Sequence, residues 1–149
     1  MKKRFIDQLG NSVEMNFPPQ RIISVVPSQT ELLYDLGLRD EVIGITKFCV
    51  HPDEWFRSKT RVGGTKKLNL DKIRSLKPDL VLANKEENTE TDIKELMKNF
   101  PVWVSDIKTM TDAFAMIKSV GEIIDKKTEA KQLLSEINQQ LITINQQPS

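Results

Sequence analysis

The chain has 149 residues, enough for one domain with a sizeable hydrophobic core. Its 22 basic and 21 acidic side chains leave a formal charge of +1, and the basic residues are scattered, which excludes the electrostatic footprint of a nucleic-acid binder. Cys49 is the single cysteine, so an internal disulfide is excluded, and no window is apolar enough to span a bilayer.

Met1-Lys-Lys-Arg4 carries the charge of a signal-peptide start, but Phe5-Ile-Asp-Gln-Leu-Gly-Asn follows it. The apolar run of about 7–15 residues that a leader needs is missing, so no signal peptide is expected as the chain stands. Residues 4–16 alternate around Leu9-Gly-Asn-Ser12, which predicts a small hairpin with Gly10 or Asn11 in its turn. Residues 22–26 form a β-branched run interrupted only by Ser24, as in a parallel strand covered on both faces. Pro27 ends the run because it has no N–H for a ladder. Ser28 and Glu31 match a capping box for the short helix that follows, and Gly37 suits its left-handed C′ position. A polar turn at the carboxyl end of a buried strand is where open α/β sheets bind ligands, so residues 27–31 are a candidate piece of a site.

Residues 42–46 read as the second strand, and residues 53–59 as a short helix with Asp53 and Glu54 favourably placed in its first turn. Asn69 caps a helix that stops at Lys77-Pro78, and an apolar strand then runs to Asn84. Residues 88–100 have Ile93, Leu96 and Met97 at helical spacing behind the cap candidates Asn88 and Thr89. Val102-Trp-Val104 is the next strand, and residues 111–125 are an amphipathic helix. This alternation predicts a mostly parallel sheet flanked by helices. From 128 to 147 the chain has no strand signal. Ala130, Leu133, Leu134, Ile137, Leu141 and Ile144 share one face of what would be a helix of roughly 30 Å. From the residues alone, that helix is expected to pack on its own domain.

Five segments in this order carry a resemblance. They are Arg21-Ile-Ile-Ser-Val-Val-Pro-Ser-Gln-Thr-Glu31, Gly44-Ile-Thr46, Cys49-Val-His-Pro52, Val62-Gly-Gly64, and the stretch from Asn69 to Val81. Together they resemble the solute-binding proteins of ABC importers that carry ferric siderophores, haem and cobalamin, over roughly residues 4–125. The resemblance implies an N-terminal α/β lobe at residues 1–125, and a start at residues 126–149 of the long helix that joins two lobes as a rigid backbone. It implies capture of a small-molecule metal chelate in an interlobe cleft, docking on a membrane permease, and a periplasmic or extracytoplasmic location. The leaderless start keeps a cytoplasmic location open. No intrinsic cofactor and no enzymatic activity are implied; iron or cobalt would belong to the transported ligand.

By the same resemblance, the loops at the strand ends supply half of the cleft through Pro27, Ser28, Thr30, Phe48, Cys49, His51, Gly64, Thr65, Asn84 and Lys85. Phe48 falls where cobalamin-binding relatives carry a cleft aromatic. Two tryptophans of those relatives correspond here to Thr65 and Asn84, which suits a corrin ring less. Lys66, Lys67 and Lys85 on the same rim suit an anionic ferric chelate. Asp71 matches a surface carboxylate that pairs with permease arginines, and it also complements the dipole of its own helix.

Cys49 and His51 are the most reactive-looking pair, a thiol and an imidazole two residues apart. Three roles are open to them: packing and turn formation, ligand contact, or nucleophile and base. With one Cys and one His, a closed zinc site of nitrogen and sulfur ligands cannot be built. The alternative function is therefore a cytosolic metal- or cofactor-handling module, or a hydrolase using these two residues. Trp103, between two valines, is expected in the core, whereas Trp55 fits core or surface. If no second lobe covers it, the apolar stripe of residues 128–147 is expected to mediate self-association.

Overall fold

The computed structural model describes residues 1–146. Strands β1 (Lys2–Ile6) and β2 (Ser12–Asn16) form the expected antiparallel hairpin. The chain then alternates: β3 (Ile22–Ser24), α1 (Pro27–Asp35), β4 (Val42–Ile45), α2 (Asp53–Ser58) and β5 (Thr60–Arg61). After a two-residue pairing of β6 (Gly63–Gly64) with β7 (Lys67–Leu68) come α3 (Leu70–Leu76), β8 (Leu80–Asn84), α4 (Glu90–Met97) and β9 (Val102–Ser105). Helices α5 (Met110–Ile123) and α6 (Lys127–Gln146) complete the described chain.

Five strands form one parallel sheet in the order β5-β4-β3-β8-β9. Successive residues of a strand face opposite sides, and both sides are apolar here. Ile22, Leu80, Leu82 and Trp103 pack with residues of α1, α2, α5 and α6, whereas Ile23, Val81, Val102 and Val104 pack with α3 and α4. Trp103 is fully buried, and Trp55 resolves to the core at 3% exposure. The hairpin lies against β9, where the backbone N–H of Gln8 donates to the Val104 carbonyl (3.1 Å) and the Trp103 indole donates to the Ile6 carbonyl (3.3 Å).

The capping box expected at Ser28 and Glu31 does not form. Helix α1 starts at Pro27, its cap position falls on Val26, and no side chain caps it. Proline does not sit in a loop before the helix here; it is the first helical residue, where its missing N–H costs nothing. Gly37 closes α1 as expected, with φ +99° and its N–H donating to Tyr34. Asn69 caps α3 by accepting from the Lys72 N–H, and Thr89, not Asn88, caps α4. A capping box that the spacing had not suggested joins Thr109 and Asp112 at the start of α5. Strand β5 and the β6–β7 pairing were also unforeseen, being only two residues long each.

Helix α6 turns back on α5 through Asp125, which has φ +62°. Ala130, Leu133, Leu134 and Ile137 of α6 pack into the core beside α5, while Ile142 and Ile144 beyond them stand exposed at 54% and 62%. Of the expected stripe, the residues from Ala130 to Ile137 are packed, Leu141 is half-buried and Ile144 is exposed, and residue 147 of the expected helix lies outside the described residues. No helix among the described residues is long and apolar enough to cross a membrane.

The α5–α6 contact depends on a missing side chain. A Cβ at Gly121 would lie 2.4 Å from the Ala130 Cβ and 3.2 Å from the Lys126 carbonyl oxygen. Gly121→Ala is therefore expected to push the two helices apart and destabilise the chain by about 1–3 kcal/mol. Urea unfolding measures this, and Gly121→Ala combined with Ala130→Gly should recover part of the loss because the two sites share one contact.

Candidate functional site at the carboxyl edge of the sheet

Parallel pairing brings the carboxyl ends of β3, β4, β5, β8 and β9 to one edge, and hydrogen bonds fasten the loops leaving that edge to one another. The Lys47 N–H, just after β4, donates to the Gly63 carbonyl at 2.9 Å. Gly63 has φ +94°, and a Cβ there would lie 2.7 Å from the Asn69 backbone nitrogen, so only glycine fits this turn. Phe48 lies across Gly64, since a Cβ on Gly64 would come within 3.2 Å of the phenyl ring. The Lys66 ammonium donates to the Glu86 carbonyl and links the β6–β7 turn to the loop after β8.

The amide of Asn88 completes the assembly by donating to the Val25 carbonyl (3.1 Å) and the Thr65 carbonyl (2.9 Å) while accepting from the Asn84 N–H (2.9 Å). Pro27, Ser28, Phe48, Gly64, Thr65, Asn84 and Lys85 therefore share one end of the lobe, with Gly64 and Asn84 buried there. Phe48 is 54% exposed, Ser28 and Lys85 are exposed, and Pro27 and Thr65 are half-buried. Helix α3 begins at the same end, because the Asn69 N–H donates to the Val62 carbonyl (2.8 Å). Asp71 in its first turn is a surface carboxylate whose partner is Arg74, at 3.1 Å.

Other residues of the expected set lie elsewhere. Thr30 and Cys49 are fully buried beneath the loops and present no surface to a ligand. The Cys49 sulfur lies 3.1 Å from the Thr30 hydroxyl and 3.2 Å from the Thr46 hydroxyl, and the Thr30 hydroxyl in turn donates to Ser24 (2.7 Å). This small polar cluster ties α1 to the ends of β3 and β4. His51 is exposed and lines an open depression with Glu31, Tyr34 and Asp35. A thiol inside the core and an imidazole on the surface do not make a nucleophile–base pair.

Lys47, Lys66, Lys67 and Lys85 are exposed on this rim, and so are Glu86 and Glu87. Lys85 also lies 3.9 Å from Asp106. Among the described residues, no group of three or more His, Cys, Asp or Glu is placed to hold a metal ion. What the edge offers is one exposed aromatic ring over a glycine turn, hydroxyls at Ser28 and Thr65, and a fringe of cations.

Residues 22–147 match the family described as periplasmic binding protein. The chain belongs to that family. Over 146 residues it is 32% identical to YvrC of Bacillus subtilis (strain 168), named an uncharacterized ABC transporter substrate-binding lipoprotein, covering 95% of this chain and 46% of that protein. It is 29% identical to the vitamin B12-binding protein of Pectobacterium atrosepticum, over 83% of this chain and 44% of that one. In fold it is similar to the petrobactin-binding protein YclQ of Bacillus subtilis, with a TM-score of 0.87 at 23% identity, covering 97% of this chain and 52% of that one. The chain thus spans about half the length of the relatives it matches.

The placement of Cys49 has a direct chemical consequence. A thiol-specific reagent is expected to leave the folded chain unmodified and to react fully in denaturant, because burial denies it access to the sulfur. Rapid labelling of the native chain, followed by absorbance, would show that the loop after β4 opens in solution.

Proposed function

We propose that this chain is the N-terminal lobe of the substrate-binding component of an ABC importer for iron-siderophore or cobalamin-type ligands. Residues 1–125 form the lobe and residues 126–149 begin the backbone helix, of which 147–149 lie outside the described residues. The lobe supplies one wall of the ligand cleft, and its location is extracytoplasmic, in keeping with the lipoprotein name of the Bacillus relative. The observation that carries this reading is the convergence of the strand-end loops around Phe48 and Gly64 in a chain of this family.

Phe48 gives a bulky ligand an apolar face to lie on, and Ser28 and Thr65 offer hydrogen bonds to its periphery. The cations at Lys47, Lys66 and Lys85 favour a chelate that carries negative charge, and the absence of tryptophan at Thr65 and Asn84 points the same way. Iron or cobalt arrives inside the ligand, so the lobe needs no metal-binding side chains of its own. Asp71, exposed at the same end and carried by a short helix, is the carboxylate this reading assigns to the permease. The exposed end of α6, with Ile142 and Ile144, is the surface through which the chain on its own self-associates. The reaction class is binding and release, with no covalent step.

A single wall leaves much of the ligand in water, so affinity for this chain is expected to be weak. Chemical-shift titration suits weak binding, with cyanocobalamin, a ferric tris-catecholate and a ferric tris-hydroxamate as probes. At least one probe should perturb residues 27–28, 47–48, 64–66 and 84–86 as a single set. Phe48→Ala should weaken that probe by about three- to tenfold, the range for loss of an aromatic contact, with little change in the melting temperature because the ring is exposed. Perturbations centred on another face, or none with any probe, would overturn the assignment.

A further inference from the structure

The Asn88 side chain is 2% exposed, yet it contributes nothing to its own helix. Thr89 caps α4, its hydroxyl accepting from the Asp92 N–H at 3.2 Å. Two of the three hydrogen bonds of the Asn88 amide go to other segments, the Val25 carbonyl ahead of Pro27 and Ser28 and the Thr65 carbonyl, while the third, from the Asn84 N–H at the end of β8, closes the loop that carries Asn88 itself. The geometry assigns Asn88 as the positioning residue of the binding edge, a buried bracket that sets the spacing of three rim loops before a ligand arrives. This inference rests on the proposed site, but the bracket itself can be tested without a ligand.

The chemistry of the amide explains why the position needs asparagine. Two carbonyl oxygens on separate loops converge there, and both must be met by donors, while the N–H of Asn84, where Asn88's own loop leaves β8, needs an acceptor. Asparagine presents two donor hydrogens and one carbonyl oxygen on a short side chain. Aspartate would keep the acceptor and lose both donors, and leucine would lose all three. Asn84 extends the bracket by one layer. Its Oδ1 accepts from the Glu86 and Glu87 N–H groups (2.9 Å each), and its Nδ2 donates to the Ser105 hydroxyl (2.9 Å), which brings in the end of β9. Rim loops held in this way lose little freedom on binding, which raises affinity without adding a contact.

The test compares Asn88→Leu and the milder Asn88→Asp with Thr89→Ala, which removes the neighbouring cap and touches none of the rim loops. In the free chain, both Asn88 variants should speed amide exchange at residues 64–68 and 85–87 by about tenfold or more, as loss of buried hydrogen bonds does. Thr89→Ala should lower the melting temperature and leave those amides at the wild-type rate. With whichever of the three probes binds the wild-type chain, the Asn88 variants should lose about tenfold in affinity and Thr89→Ala should lose none. Exchange that rises evenly over the whole chain, or equally in Thr89→Ala, would overturn the assignment. If no probe binds the wild type, the proposed function fails and the exchange data still decide the bracket. Should neither Asn88 variant fold, the wild-type side-chain amide decides: two distinct, slowly exchanging Nδ2 protons are expected, and rapid averaged exchange would overturn it.

Discussion

Parallel pairing around β3 is the constraint on which the rest of this lobe depends. Ile22 of β3 stands opposite Val42 on one side and Leu80 on the other, so β3 has parallel neighbours on both flanks. Parallel neighbours cannot be joined by a tight turn, and each connection must cross a face of the sheet. The crossings bury both faces, which accounts for the unbroken apolar strands, and they deliver every outgoing loop to the same end. The incoming end is closed differently. There the Asp79 carboxylate accepts from the Gln20 and Arg21 N–H groups (2.9 Å each), and the Arg21 guanidinium donates to the Lys77 carbonyl (3.1 Å). One edge is clamped shut by a short polar knot, and the other carries exposed loops.

The outgoing edge resolves a conflict between burial and polarity. Strands that end in Ser24, Asn84 and Ser105, with Thr46 just beyond β4, place four polar side chains inside the lobe, and each would be costly alone. They are satisfied in two groups. Ser24, Thr30, Thr46 and Cys49 form one on the β3–β4 side. On the β8–β9 side, Gln29 donates to the Ser105 hydroxyl (2.5 Å), to which Asn84 also donates, and Asn88 lies next to them. Networks of this kind fix geometry more tightly than apolar packing does, because a small displacement breaks directional bonds. The exposed layer of Ser28, Phe48 and Thr65 thus stands on a rigid polar floor.

Most of the architecture was legible in the sequence because the strands alternate with helices and are apolar on both faces. The Asn69 cap and the Gly37 stop were readable as local chemistry, since each acts within a few residues of itself. Ser28 and Glu31 misled for an instructive reason: a capping-box spacing is also what a helix beginning at Pro27 displays one residue into its first turn. Cys49 and Thr30 drew attention as ligand contacts because their segments resemble binding loops. Whether a side chain points out of such a loop or beneath it depends on the strand behind it, and spacing does not report that. Two of the three partners of Asn88 lie 63 and 23 residues away, beyond any local pattern. The one available signal was redundancy, two cap-capable residues in a row at a helix that can use only one.

The hairpin beside β9 has a further consequence for the fate of this chain at high concentration. A parallel sheet ends in two open ladders, and an open ladder is a template for another chain. Here one ladder is occupied: Gln8 pairs with the Val104 carbonyl, the Asp7 carboxylate accepts from the Val104 N–H (3.4 Å), and the Gln8 side chain accepts from the Asp106 N–H (2.9 Å). The other ends at β5, which is two residues long and too short to seed a cross-β stack. The outward strand of the hairpin itself begins with Lys2, Lys3 and Arg4, charges that repel a second copy of the same strand. Edge-to-edge pairing of the sheet with another chain is thus opposed at both margins, by the hairpin on one side and by the shortness of β5 on the other.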